Sequence, residues 1–215
     1  MQDEAIQSIS DAQVVGLEAR LEPPHVRLNL GCGRDIKPGW VNLDIEALPG
    51  VDVVADLNAC RTVSLPFADE TFDDLLLNHV LEHIPDSLAL MQELWRIAKP
   101  DAILTARTPY GSSDDAWEDP THVRAYFLQS WGYFSQPFFW RADYKFRADW
   151  QPELITLLIP KVIIDETPHE EIKGRIMHER NIVREMIALL RKVSPPREPK
   201  KELIRVPPIL IEPVL

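Results

Sequence analysis

Three groups of polar residues in this 215-residue chain have the types and spacing for chemistry. The first is Gly31-Cys32-Gly33. Two glycines one residue apart let a backbone turn sharply and leave its N–H groups uncovered. The carboxylates Asp44 and Asp56 follow, each closing a short apolar run, where a carboxylate can accept hydrogen bonds from a sugar diol. The second group is His79, Glu82 and His83. It has metal-binding residue types, but the spacing offers no third ligand set, so no metal is expected. Glu82 reads instead as an acid in the first turn of a helix, where its charge suits the dipole. The third group is Asp119-Pro120-Thr121-His122-Val123-Arg124. His122 could act as a general base and Arg124 could hold an anionic part of a substrate. The same residues equally suit a helix N-cap, with Asp119 or Thr121 opening the helix. The glycines could likewise be an ordinary tight turn, and the two carboxylates strand-end turn formers.

The elements that must carry these groups follow from apolar spacing. His25 to Leu30 is a strand buried on both faces that ends in the glycine turn. Trp40 to Ile45 and Val51 to Asp56 are two more short strands. Their links are too short for the usual crossover helix, so a turn of helix or plain loop is expected there. Phe72 to Asn78 is a fourth strand entering the sheet interior. Leu81 to Ala98 reads as a helix with its true start near Pro85 or Asp86, and Lys99-Pro100 stops it. Ala102 to Arg107 is the fifth strand. A polar loop, Gly111 to Asp115, follows Tyr110 where lids sit. Arg124 to Phe134 should be an aromatic helix. Tyr144 to Ile164 suggests two strands with a turn near Gln151-Pro152-Glu153. His169 to Val193 should be a long helix, and the proline-rich end an extended tail. The expected fold is α/β: a doubly wound, mostly parallel sheet with short links after the first two strands. Residues 1–24 form an N-terminal helix, 25–165 the main domain, and 166–215 a C-terminal helix and tail.

The formal net charge of -11 argues against a nucleic-acid backbone as partner. No run approaches a membrane span, and Met1-Gln2-Asp3-Glu4 lacks the form of a signal peptide. The two cysteines, Cys32 and Cys60, read as reduced thiols of a cytoplasmic protein. The C-terminal helix and tail could bury themselves on their own sheet or offer a homodimer contact.

The order Leu28 to Gly33, Pro38 to Trp40, Asn42 to Asp44, Leu65 to Phe67 and Leu81 to His83 resembles class I S-adenosylmethionine-dependent methyltransferases, in particular a small bacterial and phage-type group. The resemblance spans about residues 25 to 110 and implies a Rossmann-like fold, S-adenosylmethionine as cofactor and methyl transfer as activity. Asn29, Gly31, Cys32 and Gly33 would lie beneath the cofactor's amino-acid end. Asp44 would accept the ribose hydroxyls, with Ile45 beside it, and Asp56 and Leu57 would flank the adenine. Asn78 and His79 would lie near the methionine part and its methyl group. His122 is then the candidate base, with His79 the other, and Tyr110, Asp119 and Arg124 would meet a small-molecule or glycan acceptor. Asn29 stands where the group often has an acid, which keeps open a non-catalytic relative of the same fold. A nicotinamide-dependent oxidoreductase would need glycine at Ile36.

Overall fold

The structure is a computed structural model that describes residues 25–214. The expected N-terminal helix therefore lies outside the described residues. The strands are β1 (Arg27–Leu30), β2 (Val41–Asp44), β3 (Val53–Val54), β4 (Phe72–Asn78), β5 (Ala98–Pro109), β6 (Trp150–Pro160), β7 (Glu185–Lys192) and β8 (Ile209–Val214). They form one eight-stranded sheet in the order β3-β2-β1-β4-β5-β7-β6-β8. The α-helices are α1 (Ser87–Ile97), α2 (Asp115–Glu118), α3 (Lys161–Glu166) and α4 (His169–His178). The expected α/β architecture is present.

From β3 to β5 every pairing is parallel. Leu30 of β1 is paired with Leu43 of β2 and Leu77 of β4. The residues that follow each of these, Gly31, Asp44 and Asn78, therefore emerge together at the carboxyl edge. Leu28, Leu30, Leu43, Leu75 and Leu77 are buried, as a sheet covered on both faces requires. The links after β1 and β2 hold no helix, as their length demanded, and β3 is followed by a 3-10 turn, Leu57–Arg61.

The segment read as one helix from Leu81 is broken in two. Leu81–His83 is a 3-10 turn, and Ile84, extended at φ -93 and ψ 109, separates it from α1. Pro85 is the cause, because the residue before a proline is pushed out of the helical region. α1 then starts at Ser87, where the Asp86 carboxylate accepts the Ala89 N–H at 3.1 Å.

The second half departs further from expectation. The aromatic helix over 124–134 is only a 3-10 segment, Leu128–Phe134. Phe127 before it is extended, and its N–H is taken by Ser130 Oγ at 2.9 Å. The two strands expected over 144–164 are one strand, β6. Pro152, which has no N–H to donate, sits at a register shift between Pro152 and Leu154, so the strand bulges where a turn was expected. The long helix over 169–193 is also corrected. α4 ends at His178, Asn181 takes φ 60, and Glu185 to Lys192 form β7 with alternating burial. β7 lies inside the sheet, antiparallel to both β5 and β6. The tail ends as β8, paired in parallel with β6 of its own chain. No helix among the described residues is long and apolar enough to cross a membrane.

Candidate active site

The turn after β1 is fixed by its own backbone. Gly31 has φ 59 and Gly33 φ 50, conformations that side-chain-bearing residues rarely adopt. A Cβ on Gly31 would meet Val80 Cγ2 at 2.6 Å, whereas one on Gly33 would meet nothing within 4 Å. Asp44 holds the turn from the end of β2: its Oδ2 accepts the Gly33 N–H at 2.7 Å and its Oδ1 the Glu46 N–H at 3.0 Å. Both oxygens keep a further lone pair for a ligand.

A cleft of about 190 Å³ opens beside this carboxylate, lined among others by Gly31, Asp44, Ile45, Asp56, Leu57 and His79. Ile45 is 56% exposed, an apolar face available to a flat ring. Asp56 has two places in the structure. It lines the cleft, and its Oδ1 accepts the Asn58 N–H at 2.8 Å to cap the following 3-10 turn. Cys32 and Asn78 are not among the lining residues. Neither is Asn29, whose side-chain N–H group donates to Asp35 O at 2.8 Å and Asn42 Oδ1 at 3.0 Å. That amide ties the glycine loop to β2.

His79 stands just past β4 with φ 54, a costly conformation for a residue with a Cβ. Its Nε2 lies 3.6 Å from Glu185 Oε2 and its Nδ1 3.3 Å from Glu82 Oε1. The carboxylates of Glu185 and then Glu82 raise the His79 imidazole to about 9. His79 in turn is the main cause that lowers Glu185 to about 2, with the Arg107 guanidinium helping. No pattern in the residues pointed to Glu185, because β7 lay within a stretch read as helix.

His79 also lines a second, open depression of about 360 Å³ with Pro109, Asp115, Glu118, Asp119, His122 and Glu185. The segment 119–124 opens no helix: Asp119 is the C-cap of α2, and the next helical turn starts only at Leu128. Asp119 Oδ1 instead accepts the Thr121 N–H at 2.8 Å and hydroxyl at 2.6 Å, which hold its carboxyl below the ordinary value. The Val123 N–H donates to Glu82 O at 2.9 Å and so docks the segment on the Leu81–His83 turn. His122 Nδ1 is 3.2 Å from Ala116 O, an acceptor, so Nδ1 carries the proton and Nε2 keeps a lone pair. Arg124 points elsewhere. It lines a separate cavity of about 390 Å³ with Tyr126, Tyr133, Phe139 and Tyr144. Tyr110 is buried against Phe127 and lines neither His79 cavity.

Residues 28–106 match the model of the methyltransferase domain. Over those residues the chain is similar to a methyltransferase domain. Its fold is similar to that of a methyltransferase from Archaeoglobus fulgidus whose reported activity depends on S-adenosylmethionine, with a TM-score of 0.54, 15% identity, and 84% of this chain and 92% of that one covered. It is also similar to the YcgJ protein from Bacillus subtilis, at TM-score 0.48 and 16% identity, over 84% of this chain and 96% of that one. No curated protein sequence matches. The cofactor of the methyltransferase domain is S-adenosylmethionine. The cleft fits it: a glycine turn with open space over Gly33, and a carboxylate held by two backbone N–H groups with lone pairs to spare. The nicotinamide alternative falls with this match. His83, Asp115, Glu118 and Glu185 are cavity residues that the sequence did not place in the site. Only His83 carried a signal, its place beside Glu82.

Proposed function

We propose that this methyltransferase acts on a small-molecule or glycan acceptor seated in the depression around His122. The observation that carries the reading is His79, which lines both the cofactor cleft and that depression. The two cavities therefore meet at one residue. A volume of about 360 Å³ suits a small molecule or a sugar. The rim carries Asp115, Glu118, Asp119 and Glu185, which would repel a polyanion.

S-adenosylmethionine supplies an already activated methyl group, and the chain's work is then to bind, orient and remove a proton. Asp44 and Asp56 hold the sugar and adenine side, and Ile45 and Leu57 supply apolar walls. His79 has a carboxylate against each ring nitrogen, so it orients and does not take up a proton. His122 is the base, because Ala116 O fixes its tautomer and leaves Nε2 free. Asp119, two residues from Thr121 in the same turn, orients the acceptor. Arg124, in the aromatic cavity, would meet the distal part of a longer acceptor such as a glycan.

His122→Ala should leave cofactor affinity by calorimetry unchanged and lower turnover by about two to four orders of magnitude. Near-normal turnover of a folded His122→Ala protein removes His122 from the mechanism. A chain that binds the cofactor and methylates no acceptor would instead be a binding relative of the fold. We also place the protein in the cytoplasm, since Cys32 and Cys60 are both free thiols; recovery in a membrane or secreted fraction would contradict this. A homodimer contact is placed on the outer edge of β8, where Ile209, Leu210 and Ile211 remain partly exposed. A monomeric mass by light scattering ends that idea.

A further inference from the structure

Glu82 is the most anomalous side chain in the protein. It is 2% exposed, yet neither carboxylate oxygen has a hydrogen-bond partner among the described residues. His79 Nδ1 comes to 3.3 Å of Oε1, without the alignment of a hydrogen bond. The His79 imidazolium offsets part of its charge, yet a buried carboxylate with no aligned donor on either oxygen remains costly and has lone pairs for a further ligand.

What surrounds it is suited to do so. His83 follows it in the same 3-10 turn, and His122 is brought in from the loop that the Val123 N–H pins to Glu82 O. One ligand atom from each of Glu82, His83 and His122 lies within 4.8 Å of the other two. Each imidazole is oriented from behind. The His122 Nδ1–H is spent on Ala116 O. The Thr121 hydroxyl donates to Asp119 Oδ1 at 2.6 Å, so its contact of 2.9 Å with His83 is a donation from His83 Nδ1–H. Both rings are thereby fixed with Nε2 unprotonated. Backbone carbonyl or hydroxyl behind the ring and a bare nitrogen in front is how metal-ligating histidines are held. The third ligand that the local spacing lacks is supplied by the fold.

We propose that Glu82, His83 and His122 bind a divalent first-row transition metal ion. Two imidazoles and one carboxylate are the ligand set of open, three-ligand zinc sites, and they suit hard Mg²⁺ poorly. Ligands around bound zinc stand about 3.4 Å apart, so binding draws the three together. The ion sits in the partition between the cavities, because His83 lines the cofactor cleft and His122 the acceptor depression. Asp119 stands beside the three, its Oδ2 3.9 Å from His122 Nε2. This deepens the acceptor reading and rests on it in one respect. With the ion bound, His122 is a ligand and the ion takes over acidifying the acceptor hydroxyl. Without it, the imidazole does so itself.

The test needs neither acceptor nor cofactor, so its failure would leave the acceptor reading standing. The full chain is dialysed against a chelator and titrated with Zn²⁺ by calorimetry, and separately with Co²⁺ while visible absorption is followed. One Zn²⁺ per chain with micromolar or tighter affinity is expected, with the d–d bands of tetrahedral Co²⁺. Glu82→Gln and His122→Ala, each verified as folded by circular dichroism, should weaken Zn²⁺ by about a hundredfold or more. Thr121→Val, which frees the His83 ring, should weaken it by about tenfold. Should Glu82→Gln fail to fold, His122→Ala on its surface loop decides alone. Less than one Zn²⁺ per chain, unchanged affinity in His122→Ala, or Mg²⁺ binding as tightly as Zn²⁺ would overturn the proposal.

Discussion

From β1 to β5 the strands run parallel and the interior is made of Leu28, Leu30, Leu43, Leu75, Leu77 and Leu104. From β6 onward the interior carries charge. Asp149 is 0% exposed and accepts from Gln136 N at 3.1 Å, Arg197 N at 2.9 Å, Arg197 Nε at 2.7 Å and Arg197 Nη2 at 2.8 Å. Arg197 also reaches Gln151 Oε1 at 2.5 Å and Ser135 Oγ at 3.0 Å. Lys192, 1% exposed, donates to Ala98 O at 2.8 Å and lies 4.2 Å over the Trp95 ring. The first half is held largely by apolar packing, a non-directional force that tolerates substitution, and its strand-end turns line the cleft beside Asp44. The second half adds directional bonds between segments far apart in sequence, and it lends only Glu185 to the depression around His122. The two halves thus have different failure modes.

The sharpest way to break this contrast is to remove Asp149. Asp149→Ala leaves the Arg197 guanidinium without its partner in the interior and should cost about 3–5 kcal/mol of stability, read by denaturant unfolding. A cost below about 1 kcal/mol would mean that the second half is held by its apolar contacts after all. On the cofactor side the main loss should appear in affinity. Asp44→Ala removes the carboxylate that faces the cleft and should weaken S-adenosylmethionine by about ten- to a hundredfold in calorimetry. It also frees the Gly33 and Glu46 N–H groups, at about 1 kcal/mol each. Unchanged affinity in the folded variant would remove Asp44 from the cofactor site.

The smallest expected effect is a pH dependence. Desolvation pushes the buried Lys192 ammonium below its ordinary value of 10.5. The unfolded chain then binds more protons than the folded one once pH passes the lowered pKa. This group therefore makes stability rise with pH from that point up to about 10.5. Lys192→Met should flatten the rise, a change within about 1 kcal/mol at any one pH. An unchanged profile would mean that Lys192 titrates as it does in water.

The difference between the halves also decided what could be read from the residues alone. β4 occupies the same span, Phe72–Asn78, that its apolar run marked out. Gly31, Asp44, Ile45, Asp56 and Leu57 line one cleft because each ends or follows a strand, and adjacent parallel strands end at one edge. β7 was hidden because Ile182, Met186, Leu189 and Leu190 fit a period of 3.6, whereas the strand buries Met186, Ala188, Leu190 and Lys192, one of them a lysine, so the period of 2 does not show in the apolar residues. The deciding residue is Asn181, whose positive φ ends any helix, and asparagine is one of few residues that tolerate it. Glu185 was lost with β7. The partner that Glu82 and His83 lacked was His122, far along the chain, and only the docking of one loop on another brings it there.

The place of β7 bears on how the chain is made. A ribosome delivers β1 to β5 first, and these can pair as they emerge. β5 then waits with one edge bare, because β6, the next strand delivered, does not pair with it. Its neighbour is β7, in which Leu104 meets Leu190. Until residue 192 has left the exit tunnel, β5 is an open apolar template at the centre of the future sheet. Long-range pairing of this kind is slow and leaves an edge exposed to other chains. The nascent protein should therefore depend on chaperones from the delivery of β5 until that of β7, and a chain stopped short of β7 should aggregate.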